Sequence, residues 1–174
     1  MAIRRDALRM LDYLNGTFNR LDVGFVPSPS GGFMCLLQQE EVHDCLLVID
    51  GYAPDMESAE RHEAIGLITA VGFVQTVFGY PNEEAFAKDP RGHDIFYGCY
   101  EIVGSQWESN VNDYNERTYG NRSSVPGSLH HFFVGSHDAS CQVLARDLRV
   151  EIHAGETFRA VLGDAQDRMR NWRV

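Results

Sequence analysis

The chain has 174 residues, 44% of them hydrophobic and 23% charged, with a formal net charge of −10. That length supports a hydrophobic core without help from a metal or a disulfide framework, and the composition is that of a soluble globular protein read as one domain over residues 1–174. The acidic balance speaks against nucleic acid, which selects clustered Lys and Arg, and no run reaches the roughly 18 apolar residues of a membrane span.

The N-terminal residues 3–14 fit an amphipathic helix. Ile3, Ala7, Leu11 and Leu14 form one stripe, with Arg4, Arg5, Arg9 and Asp12 opposite. The charges interrupt any signal-peptide core, so the expected location is the cytoplasm. Asn15-Gly16 ends the helix, "DVGFV" is a short strand, and "PSPSGG" is a turn cluster. "FMCLLQQ" and "HDCLLVID" form a hairpin through Glu40-Glu41. Both faces of "CLLVI" are apolar, which places that strand centrally with a cover on each side. Residues 51–63 read as a loop.

"AIGLITA" and "GFVQTVFGY" read as strands, because a helix through Gly66, Gly72 and Gly79 would lose ~1 kcal/mol at each. Asn82 followed by Glu83 and Glu84 is a helix-start signature. "IFYGCYEIVG" is another strand. Ser105 then caps a helix carrying Trp107, Val111 and Tyr114 on one stripe. Residues 116–128 read as a long polar loop. "LHHFFV", "ASCQVLA" and "DLRVEIH" are three further strands, followed by a helix over 156–172 with Phe158, Val161, Leu162, Ala165, Met169 and Trp172 on one side. Strands bracketed by terminal helices, without βαβ alternation, predict an α+β fold: a mainly antiparallel curved sheet of about 7–9 strands with N-terminal and C-terminal helices. The alternative is a β-sandwich with flanking helices.

The densest candidate site is "HHFFVGSHD", residues 130–138. A two-residue turn at Gly135-Ser136 sets His130 directly across from Cys141, with β-carbons ~5 Å apart. His130 would then be a base, Cys141 a nucleophile or pocket wall, and Glu101, on the Cys99 face of its strand, a general acid. The same register holds His130 and His137 ~13 Å apart, so the hairpin alone builds no metal site. A longer loop would void both statements. Asn82, Glu83, Glu84, His93, Trp107, His137 and Asp138 are candidates for ligand or partner contacts. Their ordinary reading is capping, turn chemistry and core packing.

Cys35, Cys45, Cys99 and Cys141 lack metal or redox spacing and read as small buried hydrophobes. No phosphate-binding loop, dinucleotide fingerprint or zinc-protease motif is present. The sequence therefore favours an acidic binding or inhibitory protein, with a basic protein or a small molecule as partner and no cofactor or metal. The alternative is a small enzyme using the His130, Cys141 and Glu101 pocket.

Overall fold

The structure is a computed structural model that describes residues 14–30, 32–39, 43–54, 61–79, 82–86, 97–120 and 129–172. In chain order its elements are β1 (Thr17–Arg20), β2 (Val26–Pro27), β3 (Met34–Leu37), β4 (Cys45–Pro54), β5 (Arg61–Val71), β6 (Gln75–Gly79), α1 (Glu83–Phe86), β7 (Gly98–Val103), α2 (Gln106–Tyr119), β8 (His130–Gly135), β9 (Ser140–Ala145), β10 (Asp147–Ala154) and α3 (Phe158–Asn171). The fold is α+β and antiparallel, but the described residues hold ten strands rather than about 7–9, and these are divided between two sheets rather than joined in one curved sheet. One sheet has the order β1-β7-β8-β9-β6; the other has β10-β5-β4-β2, with β3 also on β4. The expected N-terminal helix over 3–14 lies outside the described residues, apart from Leu14.

The division follows from β4. Cys45, Leu47 and Ile49 point to one face and Leu46 and Val48 to the other, and all five are buried. Neither face can be left to water, so β4 and its partner β5 carry a cover on each side. On one side Leu47, Ile49 and Ile68 pack against Cys99, Val134 and Cys141 of the other sheet. Next to them Cys45 and Ala70 meet Phe132, Val143 and Ala145. On the opposite side Leu46, Val48, Ile65 and Leu67 receive Val161, Ala165 and Met169 of α3. Burying one such large side chain contributes about 1.5–3 kcal/mol. Thr157 caps α3, its hydroxyl accepting from the Ala160 amide at 3.3 Å. A bidentate Arg168–Glu151 pair, at 2.6 and 2.9 Å, ties the helix to β10.

Several boundaries differ from the sequence reading. β1 lies at Thr17–Arg20, ahead of the expected "DVGFV" strand, of which only Val26 is in a strand. The expected loop over 51–63 is partly sheet: Gly51 to Pro54 pair with Ala64 to Arg61, so the ladder supplies their hydrogen-bond partners. α2 runs on through Tyr119 into the segment expected to be loop. No helix among the described residues is long and apolar enough to cross a membrane.

Phe25 accounts for two glycines in this hydrophobic ladder. A β-carbon on Gly51 would collide with its ring and with the Val26 carbonyl, and one on Gly66 would sit 2.8 Å from the ring. Gly163, inside α3, has open space around it. Gly51→Ala is therefore expected to destabilise the protein by roughly 1–3 kcal/mol through overpacking. Gly163→Ala should stabilise it by up to ~1 kcal/mol through helix propensity. Urea denaturation of the two variants checks the opposite signs.

Candidate functional site

The β8–β9 hairpin does not turn at Gly135-Ser136. Gly135 pairs with Ser140, and Ser136 to Ala139 form a four-residue loop closed by the Ser136 amide donating to the Ala139 carbonyl at 3.0 Å. His137 and Asp138 occupy this exposed tip and contact each other at 2.8 Å. The longer loop shifts the register: Cys141 lies across from Val134 and His130 across from Ala145. The expected His130–Cys141 rung is therefore absent. The two side chains share a face but lie four residues apart along the strand, ~13 Å. Cys141 is 2% exposed, and burial, aided by nearby Cys45, pushes its thiol far above the ordinary range. A thiol held neutral in this way is a poor nucleophile.

The structure does bring His130 to Glu101. β7 and β8 pair Glu101 with Phe132, so the carboxylate lies diagonally from His130 on the same face. Nδ1 of His130 stands 2.6 Å from Oε1 of Glu101, both side chains being partly exposed. The imidazole also stacks on Phe132, with centroids 5.9 Å apart. Glu108, at the start of α2, is close enough to feel both groups. Its carboxyl is raised first by burial, is lowered by His130 and is raised by Glu101. Glu108 thus lies within electrostatic reach of the Glu101–His130 pair.

His131, one residue on, points to the opposite face and is 0% exposed. It belongs to a buried polar group that sequence reasoning did not assemble. Ser105 Oγ accepts from the Glu108 amide at 3.3 Å as the α2 cap and lies 2.7 Å from His131 Nδ1. The hydroxyl has a second lone pair and one proton left for Nδ1, so the contact forms with either imidazole tautomer. Trp107 presents its ring edge-on to His131 at 4.9 Å, and its indole N–H donates to Gln75 Oε1 at 2.9 Å. Helix α2 is thus fastened at its first turn to β8 and β6.

Burial lowers the His131 pKa to about 4, with the Gln142 side chain offsetting part of the effect. Among the described residues, Nε2 of His131 and Oε1 of Gln142 nevertheless each lack a hydrogen-bond partner. The Ser105–His131 contact is sealed from solvent and works as an anchor. The only sequence signal for it was the Ser105 cap, since its partner lies 26 residues away.

The remaining candidates are separate. Asn82 caps the one-turn α1, accepting from the Ala85 amide at 3.3 Å, and Glu84 is exposed. The Glu83 side chain and His93 lie outside the described residues. Trp107 is half-buried in the anchor described above. Among the described residues no three His, Cys, Asp or Glu groups converge as a metal donor set.

Two measurements follow from this arrangement. Cys45 and Cys99 are driven up to about 12 by burial and Cys141 higher still, whereas Cys35 is partly exposed. Alkylation of the native protein near neutral pH should modify Cys35 first and leave Cys141 protected until unfolding. For His131 the folded pKa lies below the unfolded value of 6.5, so the unfolded chain takes up the proton first. Stability is intact above pH 6.5 and falls as pH drops towards 4, by about 3 kcal/mol over that window. The stability advantage of the wild type over His131→Gln should narrow by that amount, as read by denaturant titrations at several pH values. Compared with protein-family models, curated proteins and solved structures, the chain matches none.

Proposed function

We propose that this chain is a cytoplasmic binding or inhibitory protein that acts by contact and engages a basic protein partner through the outer face of α2. The observation that carries this reading is that α2, fourteen residues long, has no buried side chain among those described. A helix of that length is marginal in water unless packing holds it. Here the holding is concentrated in the Ser105 cap and Trp107, so the rest of the helix stands open.

Its open surface carries Asp113 and Glu116 against one cation, Arg117, and adds Tyr114, 59% exposed, beside Asn110, Asn112 and Asn115. Tyrosine among small amides is the mixture that adaptable interfaces use. The carboxylates, on a chain of net charge −10, would steer a positively charged partner. Four free cysteines support a reducing compartment. An enzymatic use of His130 with Cys141 loses its geometric basis once the register separates them.

Affinity capture at low salt, with wild type and with the double variant Asp113→Lys/Glu116→Lys, tests the reading. Wild type should retain a basic protein whose binding weakens steeply as ionic strength passes ~0.15 M, where charges more than about 8 Å apart are screened. The variant should lose at least tenfold in affinity. Equal retention by both proteins, or no retained protein at low salt, would refute the proposal.

A further inference from the structure

A cavity of about 340 Å³ lies at the seam between the two sheets, with none of the His130 or His131 contacts in its lining. Arg20, at the end of β1, contributes from one sheet. Tyr52, Pro54 and Arg61, at the open end of the β4–β5 ladder, contribute from the other. The segment from Leu21 to Phe25 crosses between the sheets and supplies the floor.

That floor is firm. The Leu21 amide donates to the Cys99 carbonyl at 2.9 Å, and Leu21 and Val23 pack against the core cluster containing Phe25, itself 4% exposed. Apolar side chains therefore line a concavity whose polar side chains, among the described residues, are two guanidiniums, a phenol and one carboxylate, Asp22. Among the described residues neither Arg20 nor Arg61 has an ion-pair or hydrogen-bond partner. Two guanidiniums in the wall of one cavity stand out on a chain carrying −10. A neighbouring cavity, lined by Asp50, Glu63 and Glu156, has the opposite sign, with Tyr52 in the wall of both.

We infer that the Arg20–Arg61 cavity binds a small organic anion: a carboxylate held by the guanidiniums, with an apolar body against Leu21, Val23 and Phe25. Guanidinium forks match carboxylates in a paired, planar geometry that a lysine ammonium lacks. The volume is at the small end of ligand pockets, roughly 300–1,000 Å³, which suits a compact amphiphile. Specificity follows from the combination, since the floor selects an apolar body and the arginines select its charge.

Isothermal titration with sodium octanoate, below its micelle concentration, is the test. Octanoate should bind one per chain, octanol and acetate each at least tenfold more weakly. Arg20→Gln and Arg61→Gln should each weaken octanoate roughly tenfold or more, as expected for the loss of a charge-assisted contact. Arg20→Lys and Arg61→Lys, which keep the charge and lose the fork, should fall between. Arg149→Gln, on β10, should leave binding unchanged. Both cavity arginines are exposed, so thermal unfolding recorded alongside should match wild type. Absence of octanoate binding, equal affinity for octanol, or equal affinity in the two glutamine variants would overturn the inference.

Discussion

The structure depends on one ladder, β4 with β5, that is apolar on both faces. Val48 and Ile49 are adjacent, point in opposite directions and are both 0% exposed. A strand of that kind is stable only between two covers, and the chain supplies two different ones. The second sheet presses Cys99, Val134 and Cys141 on one face, and α3 lays Val161, Ala165 and Met169 on the other. The requirement also explains Gly51 and Gly66, where the ladder gives up two side chains so that Phe25 can close the edge of the core. The same closure shapes the floor between Arg20 and Arg61.

The adjacent histidines show how strand alternation divides chemistry. His130 turns towards the rim between the sheets and meets a carboxylate; His131 turns outward beneath α2 and meets a serine. The first remains partly open to water. The second is desolvated, which favours its neutral form where it meets the cap of the helix. The result is a helix with a rigid root and an open face.

Much of the architecture was legible because it rests on local rules. The apolar run "CLLVI" announced a doubly covered strand, and alternation in "DLRVEIH" placed Leu148 and Val150 against the core, although Ile152 on the same face is exposed. Ser105 and the stripe through Val161 and Ala165 marked two helices correctly. The hairpin register was not legible. Gly135-Ser136 satisfies the preference of a two-residue turn, yet Ser136 to Ala139 closes as a four-residue loop. The displaced pairing removes the proposed Cys141 contact while preserving the face on which His130 and Cys141 lie. Glu101 beside His130 was only a shared list of candidates until β7 was found next to β8.

By itself the sequence determined the class of fold, the central strand, the Ser105 cap and the acidic character, because each depends on periodicity, capping or composition within a short window. The tertiary structure alone decided that the strands part into two sheets, that His131 meets Ser105 across 26 residues, and that Arg20 and Arg61 face one cavity. Those outcomes depend on which strand lies beside which, a choice made by burial over the whole molecule rather than by any local signal.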